Sequence, residues 1–272
     1  MSEIDSANLE THGFQIFKEV ISIEAITSVR QFLEDELAHA IEILAPLGIS
    51  GLDFESGLKA GKLLAGPEAE KIEEQVKSLL AGHFPLSSRL SERLWDLPKD
   101  SGLQSLLNFV FNGQPISMHM PPVARFVLPG NFGAAVPAHK DFDYNLHLND
   151  FFTFWIPLVD IDRECGGISF YLKSGNHKLT FDSEFREIES EEVDVLNSRF
   201  WLPALSTDSL NKIVCSPIFP GDVVVFNPEV VHGSELNNSS RTRLSVDMRF
   251  FRKNFGSRKH FLDLQEWRIV NP

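Results

Sequence analysis

His139 and Asp141 stand one residue apart in "VPAHKDFDYN" (Val136 to Asn145), a segment that is otherwise largely apolar and aromatic. An imidazole and a carboxylate at that spacing can be an ordinary strand or turn, or they can be two ligands of one metal ion. Side chains alternate faces along an extended strand, so His139 and Asp141 would point to one side and Lys140 to the other. His232 lies 91 residues after Asp141, at the end of an apolar run within "GDVVVFNPEVVHGS", and offers a third donor. Two His and one carboxylate on one face of a metal leave three positions open, which suits non-haem Fe(II) that must hold a cosubstrate and dioxygen.

Arg243 follows His232 by eleven residues, and Ser245 comes next but one. Along "RLSVDMRF", Leu244, Val246, Met248 and Phe250 share one strand face, while Arg243, Ser245, Asp247 and Arg249 share the other. A solvated polar face is the commoner cause of such alternation. The position of Arg243 after a metal-ligand candidate reverses that preference. A guanidinium grips a carboxylate with two parallel hydrogen bonds, and a hydroxyl adds a third.

Other residues carry weaker signals. His147 and Asn149 repeat the ligand spacing in a loop eight residues on, without a partner pattern, and His177 reads as structural. His12, His39, His83, His119 and His260 have no ligand-like company. Phe132, Phe142, Tyr144 and Trp201 could line a pocket, although with 23 Phe in the chain any one aromatic is more often core. Cys165 and Cys215 have no triad partner, so nucleophilic catalysis has no support.

The elements that must position these residues change character halfway. "HGFQIFKEVIS" reads as a strand ending at Ser22, a plausible helix cap. Ile26, Val29, Leu33, Leu37, Ile41 and Leu44 then recur at helical spacing. Gly66 to Gly82 reads as a second helix, and "LSSRLSERLW" and "GLQSLLNFVF" as two shorter ones. Strands are expected at Val123 to Leu128, Phe151 to Val159, Gly167 to Leu172, Ile213 to Phe219, Asp222 to Phe226 and Arg243 to Phe251, separated by Gly, Pro and Asn turns. Thr180 to Asn211 is long, irregular and acidic; it reads equally as a lid and as a solvated acidic helix. The expectation is one domain over 1–272: a mostly helical part, 1–120, packed on a β-core, 121–272, with a lid-like insert at 180–212.

A formal net charge of −13 over 272 residues argues against nucleic acid or an anionic membrane as the main partner. Two cysteines are too few for a disulfide framework and fit a reducing compartment. The acidic start lacks the basic and apolar regions of a signal peptide, and no stretch has the ~20 apolar residues a membrane helix needs. A cytoplasmic location is expected on these grounds.

From Val123 to Phe250 the chain resembles the phytanoyl-CoA dioxygenase-like branch of the Fe(II)/2-oxoglutarate-dependent oxygenases. The shared elements are His139-x-Asp141, "FTFWIPLVDIDRECGGISFYLKSGNHK", "GDVVVFNPEVVHGS" and Arg243 eleven places beyond the distal His. "GFQIFKEVIS" followed by a long helix also looks like the start of that family. The resemblance implies a mainly β fold with flanking helices around a double-stranded β-helix, the jelly roll of cupin-like proteins. It implies iron on His139, Asp141 and His232, and a 2-oxoglutarate whose far carboxylate pairs with Arg243, with Ser234 or Ser245 nearby and Trp155 lining the pocket. The family's Gln, Met or Lys on the preceding strand is absent; "PPVARFVLPG" leaves Arg125 as the polar candidate for the near end. With dioxygen as co-reactant, the implied activity is hydroxylation of a small molecule. Relatives that halogenate need a small residue where this chain has Asp141. Two alternatives stay open: a cupin-like metalloenzyme that does not use 2-oxoglutarate, and a catalytically silent binding module on the same scaffold.

Overall fold

The computed structural model describes residues 9–145, 147–148, 150–173, 210–255 and 257–271. The expected lid therefore lies outside the described residues except for 210–212, as do His177, Trp201 and Asn149.

The helical part begins after strand β1 (Phe14–Phe17). Helix α1 (Ile23–Leu44) is capped by Ser22, whose hydroxyl accepts from the Ala25 N–H at 3.3 Å, and it buries Ile26, Val29, Leu33, Leu37 and Leu44 as their spacing predicts. Helix α2 (Phe54–Ala65) was not anticipated, because Gly57 and Gly61 weaken its pattern. Both glycines permit close approach: a Cβ on Gly57 would meet the Pro129 carbonyl oxygen, and one on Gly61 the Phe132 ring.

The continuous helix expected over 66–82 is not present. Pro67–Lys71 forms a 3-10 turn with no buried residue, and the backbone is extended at Ile72 and Glu73 before α3 (Glu74–Leu80) begins. With nothing packed on the core, the acidic stretch lacks the tertiary support a helix needs. The segment 86–95 likewise splits into single turns, α4 (Leu86–Arg89) and α5 (Glu92–Trp95). Helix α6 (Ser101–Val110) follows, with Asp100 accepting from the Gly102 and Leu103 N–H groups.

Strands β2 (Ile116–His119), β3 (Val123–Val127), β4 (Phe151–Pro157), β5 (Ile168–Lys173), β6 (Leu210–Val214), β7 (Val223–Phe226), β8 (His232–Ser234), β9 (Arg243–Arg252), β10 (Phe261–Asp263) and β11 (Arg268–Val270) complete the fold. They form two antiparallel sheets. The larger runs β1-β7-β4-β9-β2-β10-β11, with β3 also on β9; the smaller is β6-β5-β8. This is the expected mainly β architecture, a jelly roll with flanking helices.

Strand β9 organises the whole. Leu244, Val246, Met248 and Phe250 enter the core that the large sheet shares with the helices, alongside Phe154, Ile156 and residues of α1 and α6. The opposite face of the large sheet meets the small one across a second core of Trp155, Phe170, Val224 and Phe226, with Phe14 stacked on Phe170 at 3.9 Å between ring centroids. The polar side chains of β9 are thereby turned towards the space between the sheets.

Candidate metal centre and carboxylate pocket

Between the sheets lies a cavity of about 250 Å³, lined by residues of both. His139 and His232 meet there as partners in an isolated antiparallel bridge: His139 N donates to His232 O at 2.8 Å, and His232 N to His139 O at 2.9 Å. Partners opposite one another in a ladder carry their side chains on the same face. Asp141 arrives by a different device from the one expected. Lys140 is extended, but Asp141 opens a 3-10 turn (Asp141–Tyr144) instead of continuing a strand. The alternation survives over those three residues. Lys140 points away from the ligands, not into water, and is buried with its ammonium 3.5 Å from Glu229.

One ligand atom from each of His139, Asp141 and His232 lies within 4.8 Å of the others, and all three residues are buried. His139 Nδ1 lies 2.7 Å from the Pro137 carbonyl, and His232 Nδ1 lies 3.0 Å from that of Val230. A carbonyl can only accept, so each ring carries its proton on Nδ1 and keeps the Nε2 lone pair for a metal. Burial, with His232 beside it, pulls His139 down to about 3, and burial also lowers His232. Both imidazoles are therefore neutral. Burial opposes ionisation of Asp141, but the charge and hydrogen bonds of Arg249 outweigh it and hold the carboxyl below the usual range. Two neutral imidazoles and an ionised carboxylate are a donor set that fits Fe(II).

Arg249 and Thr153 were not recognised from sequence as belonging to this site. Arg249 Nε donates to Asp141 Oδ2 at 3.2 Å and Nη2 to Oδ1 at 2.9 Å, while Thr153 Oγ1 donates to Oδ2 at 2.5 Å. The signal was present in the β9 alternation, which sets Arg249 on the face of Arg243.

Arg243 is buried in the same cavity wall. Its Nη1 donates to the carbonyls of Gly166 and Glu235, and its Nε has no partner among the described residues. Burial, with Arg125 nearby, brings it down to about 10, so it remains charged at neutral pH. Ser245, Ser234 and Trp155 line the cavity. Arg125 lines it too, directly across the ladder from Ser245, with Nη2 donating to the Ala81 and Ala134 carbonyls at 3.0 and 2.7 Å. Its charge bears on Arg243 and Asp247. Asp247, half-buried, is pushed up to about 6 by burial against the pull of Arg249, Arg125 and Arg243.

His83, set aside from sequence, lines the cavity as the bridge partner of Arg125. His119 and His147 lie together outside the cavity lining, their ring centroids 4.8 Å apart. Phe132 packs near Gly61 of α2, and neither it nor Phe142 is among the lining residues. Both cysteines are buried free thiols, and burial raises them. Among the described residues no helix is long and apolar enough to cross a membrane.

Residues 60–245 match the sequence model of the phytanoyl-CoA dioxygenase (PhyH) family. A relative, 1-deoxypentalenic acid 11-beta-hydroxylase from Streptomyces exfoliatus, is 27% identical over 150 residues, 50% of each chain. The aligned part thus spans about half the length of that relative. HygX from Streptomyces hygroscopicus, solved with nickel and 2-oxoglutarate bound, superposes with a TM-score of 0.53 at 14% identity, over 93% of this chain and 88% of that one. AviO1 from Streptomyces viridochromogenes Tue57 gives a TM-score of 0.50 at 17% identity, over 89% and 90%. At these identities the superpositions speak for the shared fold.

Proposed function

This chain belongs to the phytanoyl-CoA dioxygenase family, and on that premise we propose that it is an Fe(II)- and 2-oxoglutarate-dependent oxygenase that hydroxylates a C–H bond of a small molecule. His139, Asp141 and His232 would hold the iron. The bound metal supplies activation of dioxygen, coupled to conversion of 2-oxoglutarate to succinate and carbon dioxide. The observation that carries the reading is the meeting of three ligand atoms within 4.8 Å in a cavity that also holds Arg243. The relative's own activity, an 11-beta-hydroxylation, and the metal and 2-oxoglutarate of HygX support it.

The protein's part is orientation. The two Nδ1–carbonyl contacts aim both Nε2 atoms at the metal position. Arg243, anchored through Nη1, presents its unpartnered Nε edge to a carboxylate in a water-poor wall, where charge-assisted hydrogen bonds are strong. Ser245 and Ser234 add hydroxyls beside it, and Trp155 closes the apolar side. The placement of Arg125 across from Ser245 favours a role at this end of the dicarboxylate, as a second cation beside Arg243, over one at the metal end. Asp141 supplies a carboxylate where a halogenating enzyme would need a vacancy, which favours hydroxylation.

The test is succinate formation from 2-oxoglutarate by the Fe(II)-loaded protein under air, screened against small-molecule classes. Substrate-stimulated succinate accompanied by a product heavier by one oxygen supports the reading. A metal-dependent product formed without succinate would replace it with cupin-like chemistry independent of 2-oxoglutarate.

A further inference from the structure

We propose that Arg249 and Thr153 are positioning residues that leave Asp141 one lone pair for the metal, on Oδ1. The inference rests on the metal-centre reading above and adds two residues to it. Thr153 of β4 and Arg249 of β9 are direct partners in the ladder, so both reach the same carboxylate from the large sheet. A carboxylate offers about four lone-pair directions. Oδ2 accepts from Thr153 Oγ1 and Arg249 Nε, and Oδ1 accepts from Arg249 Nη2. Among the described residues three directions are spoken for, and the one that remains belongs to Oδ1.

The grip also fixes the carboxylate plane. A guanidinium is flat, and its paired bonds break together if the carboxylate rotates. The main chain of Asp141 is pinned independently, since Asn145 donates to its carbonyl oxygen from Nδ2 at 2.8 Å and from N at 3.2 Å. The benefit lies in the count of coordination positions. One bond from Asp141 and one from each imidazole would leave a six-coordinate metal three places, enough for a chelating cosubstrate and dioxygen. A carboxylate binding through both oxygens would remove one of them. Arg249 in the role of bulk counter-charge alone would give none of this control, and that difference is measurable.

Co(II) is titrated into the full-length wild type and into Thr153→Val, Arg249→Lys and Asp141→Ala, following heat and visible absorption, with circular dichroism as the folding control. Thr153→Val removes one donor with no change of charge and almost none of shape. Arg249→Lys keeps the charge and loses the paired grip. The expected result is about a ten-fold or greater loss of Co(II) affinity in both, with an altered visible spectrum as Asp141 gains freedom to bind through both oxygens. Folded Thr153→Val and Arg249→Lys proteins with wild-type affinity and spectrum would overturn the inference while leaving the metal centre standing. A wild type that takes up no Co(II), or an Asp141→Ala protein that binds it as well as wild type, would instead overturn the metal-centre reading and this inference with it.

Discussion

Asp247 and Trp155 face each other across β9 and β4, so a carboxyl group and an indole share one patch of cavity wall. Burial pushes this carboxyl up to about 6, above its ordinary 3.8. A group that holds its proton more tightly when folded favours the folded state at low pH, and that contribution fades as pH rises through the folded value. Asp247→Asn should therefore gain stability relative to wild type as pH rises from about 4 to 7, by at most about 3 kcal/mol. Urea unfolding of both proteins across that range reads the gap; a constant gap would refute the prediction.

Metal binding should stabilise the chain. At a metal concentration one hundred times the dissociation constant the gain is about 2.7 kcal/mol, seen as a rise of several degrees in an anaerobic melt with Fe(II) or Ni(II). His232→Ala removes one of the three donors and should lose most of that rise.

Arg243→Met should weaken 2-oxoglutarate binding by about 2–3 kcal/mol, or roughly thirty- to one-hundred-and-sixty-fold, because it removes charge-assisted bonds in a buried wall. Metal binding should change little. Calorimetry with 2-oxoglutarate on the Ni(II)-loaded protein separates the two effects.

Gly166 holds φ at +69°, its carbonyl accepts from Arg243, and a Cβ there would fall 2.2 Å from the Leu236 carbonyl oxygen. Gly166→Ala should cost about 1–3 kcal/mol in backbone strain alone and weaken 2-oxoglutarate binding through the displaced Arg243. An unchanged urea midpoint together with unchanged affinity would count against it.

Phe170 stacks on Phe14, meets Phe226 edge-on at 5.4 Å and lies 6.1 Å from His232. Truncation to Ala should destabilise by about 3–5 kcal/mol and loosen the wall behind His232, read as a lower urea midpoint and weaker metal binding in the same protein.

How much of this could be read in the chain itself depended on distance along it. The alternation of β9 is local and strong, and it placed Leu244 to Phe250 and Arg243 to Arg249 on their observed faces. His139, Asp141 and His232 stood out as candidates by type and spacing, yet the bridge that joins two of them is a long-range pairing with no local trace. The grip of Arg249 and Thr153 on Asp141 is of the same kind. Helix α2 escaped because its glycines serve contacts with Pro129 and Phe132, and local propensity counts them only as a cost. The stretch 66–82 misled for the opposite reason: a helical composition without a buried face over 67–71.

One strand thus bears four of the polar groups that face the cavity, and period two ties their orientations together. A single-residue insertion or deletion near the start of β9 that displaced its register would send Arg243, Ser245, Asp247 and Arg249 into the apolar layer and bring leucine, valine, methionine and phenylalanine to the cavity. Damage of that sort has no graded version. Length variation within this strand should yield inert protein, not a slower enzyme, whereas single side-chain exchanges along it can tune the reaction one group at a time.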